Sequence, residues 1–153
     1  LKRTTYRSQT GIYVNIIYMG NYIYAFLVSI GVMTVLDAAW LGLVAPAFYK
    51  KHIGFLLADN PNWTAALIFY IIFVLGVTVF VVYPGWDLDK SLMTIGLLGA
   101  LFGLVTYATY DLTNQSTIKD WPIIVTIVDM VWGAVLTSAV SVVSVLILKT
   151  FLK

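Results

Sequence analysis

Four long apolar stretches dominate the chain, at about 22–49, 64–83, 91–111 and 121–148. A helix rises about 1.5 Å per residue, so about 20 residues cross the roughly 30 Å hydrocarbon core of a bilayer. A closed β-barrel is the other way to span lipid, and it needs alternating apolar and polar residues in segments of about ten. These runs are continuous, which predicts an all-α fold: a four-transmembrane-helix bundle with short interfacial segments. The first stretch is long enough to tilt or protrude. Two short apolar pieces, Gly11–Gly20 and Ile53–Leu57, read as interfacial, and the former could instead extend the first span. Without low-complexity sequence or long linkers, residues 22–153 read as one transmembrane domain, preceded by a basic tail and interfacial segment over residues 1–21.

Composition narrows the function classes. Of 153 residues, 61% are hydrophobic and 10% charged, against roughly a quarter charged in soluble domains. That excludes a soluble enzyme, a nucleic-acid binder and a disordered chain. The net charge of +2 comes from basic residues near span ends and forms no nucleic-acid patch. With no Cys, there are no disulfides, thiol nucleophiles, iron–sulfur ligands or thiolate zinc sites. There is no Glu, and the acids are Asp37, Asp59, Asp87, Asp89, Asp111, Asp120 and Asp129. The single histidine, His52, cannot supply paired metal ligands, and no metal site is predicted. Following Lys50-Lys51, it reads as a solvated interfacial residue, with axial ligation of a porphyrin or chlorophyll pigment as the alternative. Lipid contacts are expected throughout. The sequons at Asn62 and Asn114 hug the membrane and read as chance matches.

Lys2, Arg3, Arg7, Lys90, Lys149 and Lys153 fall on one side of a four-span topology, and Lys50, Lys51 and Lys119 on the other. This bias predicts both termini in the cytoplasm or its organelle equivalent, stroma or matrix. The acid-free start, with Lys2, Arg3 and Arg7, reads either as a juxtamembrane tail or as the mature end of an imported protein. Trp63, Tyr83, Trp86 and Trp121 sit at span ends, as an interfacial aromatic belt would. Pro84-Gly85 is expected to close the second span, and Asp120 to cap the fourth ahead of Trp121-Pro122.

The third span carries Gly96, Gly99 and Gly103, a small-residue stripe suited to close helix packing against another span, a second copy or a foreign subunit. More telling are the acids. A carboxylate in hydrocarbon costs about 2.5–3.5 kcal/mol on insertion scales, so it needs a partner or a purpose. Asp37 lies in mid-span 1, Asp129 eight residues into span 4, and Asp111 at the end of span 3 beside Tyr110. Thr34-Asp37-Trp40 and Thr126-Asp129-Trp132 share one spacing, so each helix presents a Thr–Asp–Trp face. Each indole N–H and each Thr hydroxyl is a potential donor to a carboxylate. Counted from the same side, Asp37 lies roughly 18 Å deep and Asp129 roughly 12 Å deep. The three acids are therefore expected to line one polar pocket with Trp40, Tyr107, Tyr110, Asn114 and Trp132. Two uses compete. The acids either lock spans 1, 3 and 4 together, or bind a cation, proton, head group or polar solute. The matched faces on antiparallel helices also have the look of a short inverted repeat.

Val35-Leu-Asp-Ala-Ala-Trp-Leu-Gly42, Tyr110-Asp-Leu-Thr-Asn114, Trp121-Pro122 and Val128-Asp-Met-Val-Trp-Gly133, in that order, resemble the DUF2177 family of small four-span membrane proteins. The resemblance covers about residues 20–148 and departs before Tyr22. It implies the fold, membrane location and the three Asp positions as signature features, and it carries over no catalytic residue. Three functions are consistent with these observations. The first is a non-catalytic accessory or assembly subunit packing against lipids, pigments, other membrane proteins or a second copy. The second is a small proton- or cation-linked transporter using Asp37 and Asp129. The third is a lipid-modifying enzyme with Asp111 or Asp129 as general base.

Overall fold

The computed structural model describes the backbone of residues 2–152 and the side chains of residues 19–152. The sequence readings of the basic tail side chains and of Lys153 lie outside the described residues. The elements are α1 (Lys2–Leu43), α2 (Ala45–Ile53), a 3-10 turn (Gly54–Leu56), α3 (Trp63–Val77), a π turn (Thr78–Val82), α4 (Tyr83–Asp87), α5 (Leu92–Thr117) and α6 (Ile123–Phe151). Every regular element among the described residues is a helix. Four stretches are long and apolar enough to cross a membrane: Met19–Leu43, Trp63–Asp87, Leu92–Thr117 and Ile123–Phe151.

Several boundaries differ from the sequence reading, each for a local reason. The first span ends at Leu43, not at Tyr49. Pro46 has no N–H to donate back to Gly42, and its ring crowds the preceding turn. The chain breaks at Val44 (φ −118°) and restarts as the separate helix α2. Pro84-Gly85 does not close the second span. The helix widens ahead of the proline into a π turn, in which the Tyr83 N–H donates to the Thr78 carbonyl. This five-residue bonding accommodates the donor that Pro84 lacks. The third span continues six residues beyond Asp111, to Thr117. Asp120 does not cap α6: it takes a left-handed φ of 59° in the preceding turn, and Pro122 holds the cap position. Side-chain caps occur on α3, where Asn62 accepts from the Ala65 N–H, and on α5, where Ser91 accepts from the Thr94 N–H.

The bundle is organised around α5 and α6. A Cβ on Gly103 would meet the Gly133 carbonyl oxygen at 2.0 Å, and one on Gly99 the Thr137 carbonyl oxygen at 2.8 Å. Gly96 faces Ser138 more loosely, at 3.3 Å. The glycine face of α5 thus lies against α6, backbone to backbone. Helix α1 packs on α6, and the α3–π–α4 segment closes the far side against α1. Met33, Val74, Val82, Ile95, Leu136 and Leu148 fill the apolar core. At the end holding Tyr22 and the 85–90 loop, Tyr22 stacks on Tyr83 at 3.6 Å and Lys149 pairs with Asp89 at 2.6 Å. Of the aromatics at the span ends, Tyr83 and Trp121 are buried within the bundle and Trp63 is exposed.

The Gly103–Gly133 approach yields a direct expectation. Gly103→Ala must push α5 from α6 and should lower bundle stability by about 1–3 kcal/mol. Gly31→Ala, with nothing within 4 Å of its new Cβ, should be neutral or stabilise by up to about 1 kcal/mol. Thermal unfolding in detergent, followed by circular dichroism, distinguishes them. Equal melting of the two variants contradicts the packing.

Candidate functional site

Asp37, Asp111 and Asp129 each stand six residues from the same end of the bundle: from Leu43, Thr117 and Ile123 respectively. At about 1.5 Å per residue, all three lie roughly 9 Å along their helices from that end. The unequal depths read from the sequence came from running the first span to Tyr49. With the break at Val44 in place, the acids form one layer. All three are buried, Asp111 completely.

Each carboxylate has a different environment. Asp37 accepts a short hydrogen bond from the Tyr70 hydroxyl on α3. Asp129 accepts one from the Tyr49 hydroxyl at 2.7 Å. Asp111 has both carboxyl oxygens buried and no hydrogen-bond partner among the described residues. Its electrostatic neighbour is Asp129. Tyr107 lines a cleft with Asp111 and Asp129 and is within electrostatic range of all three acids and of Tyr70. Its ring lies against Gly133, where an added Cβ would meet it at 2.3 Å.

Two of these donors, Tyr49 and Tyr70, were missed in the sequence. Tyr70 carries a weak signal, as a phenol in the middle of an apolar span. Tyr49 carries none, because its role depends on the α1–α2 break. After that break α2 folds across the end of the bundle, and its Ile53 joins Trp121 and Val125 in a small second core flanked by Phe48 and Tyr49. Helix α2 thereby brings Tyr49 onto Asp129. His52 packs against the Phe48 ring at 4.9 Å.

The Thr–Asp–Trp faces meet, but through different atoms than expected. Trp40 and Trp132 stack in parallel at 4.5 Å, joining α1 to α6 beside the acids. Neither threonine donates to a carboxylate. Thr34 bonds the Ile30 carbonyl on its own helix, the habit of hydroxyls in apolar helices. Thr126 is held by Gln115 and by the Trp121 indole in a network clamping the α5–α6 turn. The Trp40 indole N–H faces the Tyr49 oxygen, and the Trp132 Nε1 is buried without a partner. Asn114 uses its backbone carbonyl to hold the end of α5, accepting from the Ile118 N–H.

The acids line two clefts rather than one. Asp111 and Asp129 share a cleft of about 310 Å³ with Phe69, Phe73, Thr106, Tyr107 and Tyr110. Asp37 lines another of about 270 Å³, with Thr34 and Tyr70. No group of three or more His, Cys, Asp or Glu among the described residues could hold a metal ion. The layer offers carboxylate oxygens, phenol donors and apolar walls. That chemistry suits a proton, a monovalent cation or an ammonium group.

Burial and the adjoining Asp129 carboxylate push the Tyr49 phenol above its ordinary range. A group whose pKa is raised on folding contributes stability that is complete below the unfolded value, near 10 for tyrosine, and lost as the pH rises beyond it. Tyr49→Phe should therefore cost about 1–3 kcal/mol at neutral pH, by leaving Asp129 without its donor. It should also flatten the loss of stability above pH about 10. Unfolding of both proteins across that range is the measurement, and parallel curves would contradict the role of Tyr49.

No curated protein and no solved structure matches the chain. A family model described as a predicted membrane protein (DUF2177) matches residues 22–146. That match reaches into all four spans and includes all three buried acids, so the chain belongs to the DUF2177 family of membrane proteins.

Proposed function

We propose that the protein binds a proton or cation in its acid layer and acts as a small proton- or cation-linked transporter. The observation carrying this reading is Asp111, which is fully buried, accepts no hydrogen bond among the described residues and lines the same cleft as Asp129. Leaving a buried polar group unsatisfied costs about 1–3 kcal/mol, and more if it is charged. A proton or a bound cation relieves that cost, so the site changes occupancy more readily than the phenol-bonded Asp37 and Asp129. Trp40 and Trp132 join two of the acid-bearing helices, α1 and α6, and Tyr107 is within the field of every acid. Four spans enclose little interior, so the working unit would pair two copies.

An accessory role is the second reading. The first and third spans bury little of their surface within the chain, which leaves broad apolar faces for lipids, a second copy or a foreign subunit. Recovery in stoichiometric amounts with a larger complex after native purification would favour it.

Transport is tested in vesicles carrying an internal pH dye or a monovalent-cation indicator. Wild type should dissipate an imposed gradient, and Asp111→Asn should slow this by about tenfold or more. Asp129→Asn should slow it too, and Asp120→Asn, at an exposed turn position, should not. Equal flux through wild type, Asp111→Asn and Asp129→Asn eliminates the reading.

A further inference from the structure

We infer that the Asp111–Asp129 cleft admits its ligand sideways from the lipid, and that the ligand is a primary amine carried on an alkyl tail. The inference rests on the acid layer being a binding site and adds the chemical class and the route.

The route follows from the helix arrangement. Helices α3 and α5 barely approach each other along their length, the nearest contact to α5 on that side coming from the π turn. Their contact is made by side chains, Phe73 meeting Phe102 and Tyr107 edge-on. The cleft lies between these helices. Each of its lining residues belongs to α3, α5 or α6, within segments apolar enough to span a membrane. Its mouth is formed by exposed Phe69 and Tyr110, and its floor by buried Asp111 and Asp129. At the near end of the bundle α2 packs on the start of α6, and its Tyr49 bonds Asp129. The lateral mouth therefore faces hydrocarbon, and a ligand using it must partition into lipid.

The ligand class follows from the lining. The walls are aromatic and apolar and favour a hydrocarbon tail. The floor holds two carboxyl groups and the described lining holds no basic side chain, which favours a cation over an anion. The unpartnered oxygens of Asp111 accept hydrogen bonds, and an ammonium group offers three donors, whereas a quaternary ammonium offers none. Aromatic faces at the mouth add a cation–π contribution as the head group passes. A volume of about 310 Å³ holds a head group and a short piece of chain, leaving the rest of the tail among the lipids.

The experiment uses the full chain in lipid nanodiscs with a photoreactive dodecylamine probe. Labelling should map to α3 and α5 near Phe69 and Tyr110. Unlabelled dodecylamine should compete, while dodecanol, dodecanoate and dodecyltrimethylammonium should not. Asp111→Asn should reduce labelling by about tenfold or more. Thr106→Phe, which fills the cleft from its half-buried wall without altering an acid, should do the same and guards against a folding defect in the Asp111 variant. Equal competition by dodecanol, or labelling unchanged in both variants, overturns the inference. Asp111-dependent flux in vesicles without amine labelling would refute the amine ligand and leave the transport reading standing. Saturable amine labelling without flux would do the reverse.

Discussion

A carboxyl group placed in an apolar helix has to be enclosed by protein or relieved by a proton or counter-ion, and three such groups set the architecture of this bundle. Enclosure requires α5 and α6 to come close enough to seal Asp111 and Asp129 from the side. The glycines at 99, 103 and 133 permit that approach, with backbone and ring atoms occupying the space a Cβ would need. It also requires donors from elements without acids of their own in the layer. Tyr70 reaches in from α3 and Tyr49 from α2. The break at Val44 is part of the same solution, since a straight extension of α1 would carry Tyr49 away from Asp129.

The remaining polar groups show how selectively the enclosure is used. Many hydroxyls on the helices bond carbonyls one turn back, as Thr34, Thr109 and Ser141 do. They need no tertiary partner and leave the outer faces suited to lipid. The acids cannot satisfy themselves in this way, because a carboxylate only accepts hydrogen bonds and the carbonyls one turn back are acceptors too. All three acids line clefts, but Asp37 and Asp129 have phenol donors and Asp111 has none among the described residues. This inequality among three groups in one layer is what the proposed binding role rests on.

Much of this was legible in the sequence. Continuous apolar runs fixed the helix count, since hydrocarbon leaves backbone groups no other partners. Acids in those runs stood out because apolar sequence gives them no local reason to exist. The matched spacing of Thr34-Asp37-Trp40 and Thr126-Asp129-Trp132 indicated two facing helices, and the tryptophans do stack. What stayed hidden depended on breaks and long-range partners. Pro84 read as a terminator because a π turn leaves no sequence mark, and Asp120 read as a cap although the turn twisted it to positive φ. Tyr49 was absorbed into the first span, and with it went the donor to Asp129 and the common depth of the acids. Separation into two clefts depends on how α3 sits between α1 on one side and α5 and α6 on the other, which no single segment encodes.

The central claim is that three acids on three helices are shut away from water together. The chain's acids are all aspartates, so carbodiimide modification mapped by mass spectrometry reads each of them in one experiment. In bilayer-embedded protein, a water-soluble carbodiimide should modify exposed Asp59, Asp87 and Asp120 and spare Asp37, Asp111 and Asp129, while a lipid-soluble one should reach Asp111 through its cleft. Modification of the three buried acids by the water-soluble reagent as fast as Asp59 would contradict the account.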